Sequence, residues 1–418
     1  MQAQGINANW KRNAGFFIAG QFLSLFGSML VQFAITWQIT LETQSGAIMT
    51  LFTCASMLPM VLISPFAGVW ADRYNRKHLI NIADAAIALV TLLLAAAYYA
   101  GFRNIWLMLV VVVARSFGQG VQSPAVGALI PQIVPQEHLA RFNGLQSAIQ
   151  SLTLFAAPMA SGALLTFLPI ELIFFIDVAT AAIGIAVVFI FVKVSGVPGA
   201  EKKTSGARAY FHELMEGLRF IGRTAWLKML IIYFALFSFF VCPAALLTPL
   251  QVVRSFGDDV WRLTAIELLF SAGAVLGGIM MSLWGGFRNR THTMIFACTL
   301  FSLTTILLGV VTNFWVYLGV MLVCGLTNPM FNTPANTILQ TKIEPQMMGR
   351  TFSVMTMLSG LALPLGMVVF GPLGDRVPIE WLLVGTGSII FLGGFTLFAC
   401  KPLIQAGEPA PADGEKAD

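Results

Sequence analysis

The sequence predicts an all-α membrane protein of twelve transmembrane helices in two pseudo-symmetric six-helix bundles, and three observations support this prediction. Of the 418 residues, 57% are hydrophobic and only 10% are charged, whereas about 25% of the residues in an ordinary soluble domain are charged. The chain divides into twelve apolar runs, each long enough for a helix that crosses a bilayer. The longest polar interval, 194–225, separates the sixth run from the seventh. This composition excludes a soluble enzyme, a disulfide scaffold and a disordered chain.

Polar residues, or clusters of glycine and proline, mark the ends of the predicted spans. The spans cover residues 13–40, 47–70, 78–100, 105–127, 143–167, 171–193, 226–250, 263–286, 293–312, 315–338, 351–374 and 380–402. The predicted domains are a first bundle over 1–193, a cytoplasmic linker over 194–225, a second bundle over 226–402 and a disordered cytoplasmic tail over 403–418. In the linker, apolar residues at helical spacing predict an amphipathic helix on the inner membrane face. These residues are Phe211, Leu214, Met215, Leu218 and Ile221.

The distribution of lysine and arginine predicts the orientation, because the cytoplasmic loops of membrane proteins are enriched in these residues. With the amino terminus inside, only Arg103, Arg254, Arg262 and Arg376 of the 24 lysine and arginine residues face outward, and Arg115 lies within a span. We therefore predict a multi-pass protein of the cell inner membrane with both termini in the cytoplasm. Topology also accounts for the net charge of +5, and no basic block indicates nucleic-acid binding.

The two halves of the chain resemble each other. In 70–76 and in 284–290, tryptophan, asparagine and arginine occur at the same spacing. In 124–136 and in 334–346, a Pro-Ala pair is followed eleven residues later by a Pro-Gln pair. The offset between the copies is about half the chain. Internal repeats of this kind are typical of secondary transporters, whose substrates bind near the midplane between the repeats.

The segment 68–77, Gly-Val-Trp-Ala-Asp-Arg-Tyr-Asn-Arg-Lys, follows the second predicted span. It resembles the signature of the major facilitator superfamily, roughly G-x-x-x-D-R-x-G-R-K, with Asn75 in place of the second glycine. Both residues tolerate a left-handed backbone. In that family the loop latches the two halves in one conformation. The resemblance assigns this role to Gly68, Asp72, Arg73, Arg76 and Lys77.

Within that superfamily, the chain resembles the drug-exporter branch that includes the Mef-type macrolide efflux proteins. The stretches that carry the resemblance are 64–73, 114–118, 175–177, 216–220 and 348–353. The segment 157–162, Ala-Pro-x-x-Ser-Gly, resembles the antiporter motif G-P-x-x-G-G with two glycines replaced. The sequence contains no G-x-x-x-x-G-K-[ST] loop, which excludes ATP as the direct energy source and leaves an ion gradient.

Four ionisable residues within the spans are candidates for proton coupling, because a charge at the bilayer centre costs about 2.5–3.5 kcal/mol on insertion scales. Arg115 matches the family's arginine in the fourth span, which the resemblance links to proton transfer. Asp84, Asp177 and Glu267 are the acids available as proton carriers. The alternatives are a structural pair with a nearby acid for Arg115, and a packing or pairing role for Asp177. For Asp84 the alternative is a role beside the loop arginines, and for Glu267 a solvated interfacial position.

Polar and aromatic stripes are the candidates for substrate binding, because in this fold the first and fourth helices of each half line the cavity. The polar candidates are Gln21, Ser24, Ser28, Gln32, Gln119, Gln122, Asn328, Asn332 and Asn336. The aromatic candidates are Tyr233, Phe237 and Phe240 in the seventh span. A mixed amide and aromatic lining suits bulky amphipathic compounds. The alternatives are polar helix packing for the amides and lipid contact for the aromatics.

These observations together predict an exporter of small amphipathic, macrolide-like compounds that exchanges them for protons by alternating access, with a role in multidrug and antibiotic resistance. The expected partners are the small-molecule substrate, protons and the lipid bilayer, and we expect a monomer. No enzymatic activity, catalytic residue, metal site, cofactor or nucleic-acid partner is predicted. The alternatives are a metabolite or sugar uptake carrier or uniporter, a lysophospholipid flippase and a non-transporting membrane receptor.

Overall fold

The structure, a computed structural model, describes residues 9–194 and 207–408, and within these ranges all regular secondary structure is helical. The helices are α1 (Trp10–Thr43), α2 (Gly46–Arg73), α3 (Arg76–Tyr99), α4 (Ile105–Ile133), α5 (Leu139–Phe167), α6 (Ile170–Phe191), α7 (Ala207–Arg223), α8 (Ala225–Cys242), α9 (Thr248–Phe256), α10 (Val260–Trp284), α11 (Arg290–Leu308), α12 (Phe314–Lys342), α13 (Pro345–Leu373), α14 (Ile379–Ala399) and α15 (Lys401–Ala406).

Twelve segments in the described ranges are long and apolar enough to cross a membrane, which confirms the predicted fold class. Eleven of them lie within single helices. The seventh is composite, because a π-helical turn at Pro243–Leu247 joins α8 to α9. Pro243 has no N–H group, so it cannot donate the backbone hydrogen bond that an α-helix needs at this position. The π-helical turn lies where that bond is missing. This segment therefore reaches Phe256 instead of ending at the predicted residue 250.

The described residues form two compact units. Unit 1 comprises those of Met1–Gln44, Ile48–Phe211 and Asp258–Thr264. Unit 2 comprises those of Ser45–Ala47, His212–Gly257 and Ala265–Asp418. The main division lies within the interval 194–225 from which we predicted a linker.

In unit 1, α1 packs against α6 and α5, and α3 packs against α4 and α6. Glycines allow the closest approach between α1 and α6. A β-carbon on Gly184 would lie 2.7 Å from the carbonyl oxygen of Gly20, closer than packed atoms tolerate. Small residues at such crossings bring helix backbones into contact where lipid supplies no hydrophobic driving force between helices.

In unit 2, α11 packs against α12 and α14, and α8 packs against α13. Its apolar core includes Leu230, Met330 and Ile338, all of which are buried. Gly273 of α10 lies against the backbone of Leu322 in α12. This contact is possible because glycine has no side chain to separate the two helices.

Asp375, in the turn after α13, binds the first residues of α2. Its carboxylate accepts hydrogen bonds from the backbone N–H groups of Gly46 at 2.7 Å and Ala47 at 2.9 Å, and from the Ser45 hydroxyl at 2.9 Å. Arg254 forms an ion pair with it at 2.9 Å. Partial burial raises the pKa of Asp375, but the hydrogen bonds from Ala47, Gly46, Ser45 and Arg254 outweigh burial and hold that pKa below its ordinary value. The acid thus caps α2 from a distant part of the chain.

Helix α7 lies in the interval where the amphipathic helix was predicted. Ile221 is buried in the core of unit 2, whereas Met215 and Leu218 are exposed. The side chains of Phe211 and Leu214 lie outside the described part of the structure. Glu216 of α7 forms an ion pair with Arg350 of α13 at 2.8 Å, a contact within unit 2.

The start of the predicted tail is ordered, so disorder does not begin at residue 403. The hydroxyl of Thr291 donates to the carbonyl of Leu403 at 2.8 Å, and the Asn289 amide donates to the carbonyl of Ile404 at 2.9 Å. The same two carbonyls also accept from the backbone N–H of Gly407, so these side chains are additional donors that fix α15 against the start of α11. Residues 409–418 of the predicted tail lie outside the described residues.

Candidate functional site

A cavity of about 300 Å³ lies within unit 1, lined by residues of α1 to α5. Its polar lining consists of Gln21, Ser24, Ser28, Asp84, Gln119, Gln122, Ser123, Gln146 and Gln150. Its apolar lining includes Phe17, Phe22, Met29, Met60 and Ile87. Asp84 is the one ionisable residue among the described residues that line it. The cavity thus combines amide groups with apolar surface, the composition typical of sites for amphipathic small molecules.

Five of the polar candidates from the sequence meet in this cavity. The spacing of Gln21, Ser24 and Ser28 puts them on one face of α1, and Gln119 and Gln122 face them from α4. Gln32, one turn further along α1, does not line the cavity.

The contribution of α5 to the cavity was not predicted. Gln146 and Gln150 line the cavity, and their spacing of four residues puts both amides on one helix face. The spacing of these two glutamines is visible in the sequence. The fifth span was not considered because only the first and fourth helices of each half were expected to line the cavity.

Asp84 is 3% exposed and lies at the wall of the cavity. Its Oδ1 atom accepts hydrogen bonds from Gln122 Nε2 at 2.6 Å and from Ser24 Oγ at 3.3 Å. These contacts tie α1, α3 and α4 together. The partners of Asp84 among the described residues are therefore neutral side chains within the membrane-spanning region, not the loop arginines of the alternative interpretation.

Arg115 and Asp177 form an ion pair in the interior of unit 1. Arg115 Nη1 lies 2.6 Å from Asp177 Oδ2, and the two side chains are 4% and 1% exposed. The guanidinium also donates to the Thr91 hydroxyl and, at 3.3 Å, to the carbonyl oxygen of Ser28. Ser28 lines the cavity, so one residue links the ion pair to the cavity wall. A pair buried this deeply is stable only while both charges are present, because loss of one partner leaves an uncompensated charge.

The second oxygen of Asp177 differs from the first. Asp177 Oδ1 is buried and accepts no hydrogen bond from the residues that the structure describes. Gly27 of α1 lies beside it, and a β-carbon there would be 2.9 Å from this oxygen. An unsatisfied buried carboxylate oxygen is costly.

Glu267 lies on α10 in unit 2 and is half-buried. It makes no hydrogen bond or ion pair with another residue in the described part of the chain. The structure therefore gives no partner for this acid among those residues, and its role in proton coupling stays a prediction.

The asparagines of α12 form a polar stripe in unit 2. Asn328 is exposed, and Asn332 Nδ2 donates to its carbonyl oxygen at 3.0 Å and to its Oδ1 at 3.2 Å. Asn336, one turn further along, is half-buried. An exposed amide within a spanning helix, as at Asn328, favours contact with water over contact with lipid chains.

The aromatic candidates of α8 pack against other helices of unit 2. The Tyr233 hydroxyl lies 2.6 Å from the hydroxyl of Thr396 in α14. The Phe237 ring stacks on Phe331 of α12 at a centroid distance of 4.4 Å. Phe240 contacts the ring of Phe370 in α13 at 6.3 Å. These contacts favour a packing role for the three side chains, and their role in substrate binding stays a prediction.

The latch motif closes the turn between α2 and α3. The Asn75 side chain accepts a hydrogen bond from the backbone N–H of Lys77 at 3.0 Å and so caps α3. Lys77 Nζ donates to the carbonyls of Phe189 at 2.7 Å and Val192 at 2.8 Å, where it meets the negative end of α6. Arg76 Nε donates to the carbonyl oxygen of Ala71 at 2.9 Å.

The other motif residues are less constrained. Arg73 is exposed, and there is open space around the α-carbon of Gly68. The side chain of Asp72 lies outside the described part of the structure. In the second copy of the repeat, Asn289 caps α11 through the backbone N–H of Thr291 at 2.9 Å, as Asn75 caps α3.

The family model of the Major Facilitator Superfamily matches residues 17–367, most of the chain. The protein belongs to the major facilitator superfamily. Members of this superfamily are transporters, so the protein is not an enzyme. Among its relatives in the superfamily is macrolide efflux protein A of Streptococcus pyogenes, 26% identical over 385 residues that cover 91% of this chain and 94% of the relative. Multidrug efflux pump Tap of Mycobacterium bovis is 24% identical over 380 residues, 86% of this chain and 88% of the relative.

Solved structures of the major facilitator fold cover nearly the whole chain. The nucleoside transporter NupG superposes with a TM-score of 0.66 at 12% identity, over 94% of this chain and 99% of that one. A bacterial homologue of the human lysosomal transporter Spinster, in an inward-facing conformation, superposes with a TM-score of 0.68 at 14% identity, over 98% and 100%. At these identities the likeness shows the fold alone.

Proposed function

We propose that this major facilitator protein is a secondary active exporter that exchanges small amphipathic compounds for protons by alternating access. The names of its relatives, a macrolide efflux protein and a multidrug efflux pump, support export. The observation that carries the proton coupling is the buried ion pair of Arg115 and Asp177 beside a polar cavity.

The ion pair responds to a single proton. Protonation of Asp177 at its unpartnered oxygen removes the negative charge that faces Arg115. The guanidinium is then left with neutral partners in a low-dielectric interior. In comparable buried pairs, the loss of one charge destabilises the folded state by about 3–5 kcal/mol. Proton binding at Asp177 thus disfavours this arrangement of α4 and α6 and favours another one.

The cavity is the proposed substrate site in unit 1. Its volume of about 300 Å³ is at the small end of the range for ligand sites. It therefore suits a portion of a large amphipathic compound or the whole of a small one. Exposed Asn328 and half-buried Asn332 and Asn336 of α12 are the proposed polar surface in unit 2.

Substrate and proton are linked through Ser28. Its side chain lines the cavity and its carbonyl oxygen accepts from Arg115. Displacement of α1 by a substrate therefore acts on the ion pair directly. We further propose that the protein is a monomer of the inner membrane with cytoplasmic termini, that the loop containing Asp72 acts as a cytoplasmic latch, and that Glu267 is a second proton carrier.

The test is transport by purified protein in sealed proteoliposomes with an imposed pH step, with radiolabelled erythromycin as the probe. The wild-type protein should move the macrolide against its gradient when protons flow in the opposite direction. Asp177→Asn should bind the probe but lose the response to the pH step. Glu171→Gln is the matched control, because Glu171 and Arg103 also form an ion pair at 2.6 Å in unit 1, but Arg103 is 63% exposed. Proton-driven accumulation in the same direction as proton flow would instead identify an uptake carrier.

A further inference from the structure

The two carboxylate oxygens of Asp84 have different surroundings. Both neutral donors, Gln122 and Ser24, bind Oδ1. Oδ2 accepts no hydrogen bond from the residues that the structure describes, and it is not fully enclosed by protein atoms. The acid lines the cavity. One oxygen is therefore fixed by the protein, and the other is available to a ligand.

A second unpartnered group lines the same cavity. The Gln21 Nε2 atom is buried and donates no hydrogen bond to a described residue. A buried amide nitrogen without an acceptor costs free energy that a ligand oxygen can recover. Gln21 thus offers a donor to an acceptor group, while Asp84 offers an acceptor to a donor group.

The charge of the cavity selects between ligands. Asp84 is its single acid, and the described lining includes no lysine, arginine or histidine. Burial without a counter-ion disfavours the charged form of a carboxyl group, and a bound cation favours it again, so such an acid favours a cationic ligand over an anionic one. Asp177 differs from Asp84 because it has a counter-ion, Arg115, within the protein.

We propose that Asp84 is the subsite for a protonated amine, positioned by Gln122 and Ser24, and that Gln21 binds an acceptor oxygen of the same ligand. The cavity therefore selects organic ammonium compounds that carry an ether, hydroxyl or carbonyl oxygen. This inference rests on the proposed function in one respect, because it names the substrate class of the exporter. Gln122 and Ser24 are positioning residues, since they act through Asp84 and hold Oδ2 toward the cavity.

The test uses two probes that differ in one charge. Erythromycin carries a tertiary amine, and its N-demethyl-N-acetyl derivative has a neutral nitrogen. Equilibrium binding of each is measured on the full-length protein in lipid nanodiscs. The wild-type protein should bind the amine at least about tenfold more tightly, a difference of about 1.4 kcal/mol. Asp84→Asn should lose this preference while its affinity for the neutral derivative stays within about twofold, and Asp84→Glu should retain the preference.

Three further variants separate the roles. Gln122→Leu should reduce the preference for the amine and change its dependence on pH, because Oδ1 loses its shortest hydrogen bond. Gln21→Leu should weaken both probes equally. Glu171→Gln removes an acid of unit 1 that does not line the cavity, and it should keep the full preference. If Asp84→Asn does not fold, the pair of Gln122→Leu and Glu171→Gln carries the test.

Equal affinity of the wild-type protein for the two probes overturns the inference, as does an undiminished preference in Asp84→Asn or in Gln122→Leu. Other outcomes would contradict the proposed function without contradicting this inference, or the reverse. A protein that prefers the amine in nanodiscs but moves neither probe under a pH step has the subsite without being an exporter. A protein that exports both probes equally well, with or without Asp84, is an exporter without this subsite.

Discussion

Arg115 and Asp177 are 62 residues apart in the sequence, and their side chains meet at 2.6 Å with almost no exposure to solvent. Arg115 comes from α4 and Asp177 from α6. Two residues predicted separately from their depth in apolar spans are thus partners. The contact is the structural pair of the alternative interpretation, and the coupling role stays a prediction. The two are compatible, since a pair that stabilises one conformation is also a pair that a proton can break.

Asp177→Asn and Arg115→Ala should each abolish pH-driven export, because each removes one charge of the pair. Membrane insertion should be unaffected, because the apolar spans determine it. Each variant leaves one partner unsatisfied, so we expect a loss of stability of about 3–5 kcal/mol. Transport in proteoliposomes and fluorescence-detected size-exclusion chromatography provide the two measurements. Export at the wild-type rate in both variants would remove the pair from the coupling mechanism.

Asp72→Asn should slow turnover without changing the range of exported compounds. The motif covers the end of α2 and the start of α3, and none of its residues lines the cavity. We therefore expect it to act on the rate of conformational change and not on binding. The measurement is a susceptibility profile of expressing cells against a panel of macrolides and dyes, together with initial export rates. Glu137→Gln is the matched control, because it makes the same acid-to-amide change at a side chain that is 79% exposed and lies outside the motif. A changed substrate range would contradict a latch role.

Asp375→Asn should destabilise the start of α2. The acid's pKa is lowered in the folded protein, so its ionised form contributes stability at pH values above the ordinary aspartate value of about 3.9. This contribution is lost as the pH falls through the lower folded value. Loss of a helix cap costs about 1 kcal/mol. Thermal unfolding at pH 7 should show a lower midpoint in Asp375→Asn, and the difference from the wild type should shrink below about pH 4. An equal difference at both pH values would show that the charge is not involved.

Gly184→Ala should destabilise unit 1 by about 1–3 kcal/mol through overpacking. Its β-carbon would lie 2.7 Å from the carbonyl oxygen of Gly20, and backbone cannot move aside as a side chain can. Gly144→Ala is the control, because no atom lies within 4 Å of the added carbon. It should be neutral or slightly stabilising, since alanine is a better helix former. Matching unfolding midpoints for the two variants would rule out a close helix contact at Gly184.

The number and approximate limits of the spans could be predicted because each is a long apolar run with polar ends. The composite geometry of the seventh span could not be predicted in this way. The proline that opens its π turn, Pro243, lies within a continuous apolar run, so hydropathy gave no sign of the change in helical geometry or of the end at Phe256.

The site was predictable to the extent that one helix face carries its residues. The spacing of Gln21, Ser24 and Ser28 puts them on one face of α1, so they could be identified as cavity-lining candidates from the sequence. The partnership of Arg115 and Asp177 depends on which helices are neighbours, which the spacing within a single span does not encode.

The most direct test of the coupling mechanism is proton flux driven by substrate alone. Proteoliposomes loaded with erythromycin, with equal pH on both sides, are diluted into macrolide-free buffer while a trapped pH dye reports proton movement. The wild-type protein should move protons into the vesicles as the macrolide leaves, and Asp177→Asn should show macrolide movement without a pH change. Wild-type efflux with no pH change, or an undiminished pH change in Asp177→Asn, would contradict proton exchange through this ion pair.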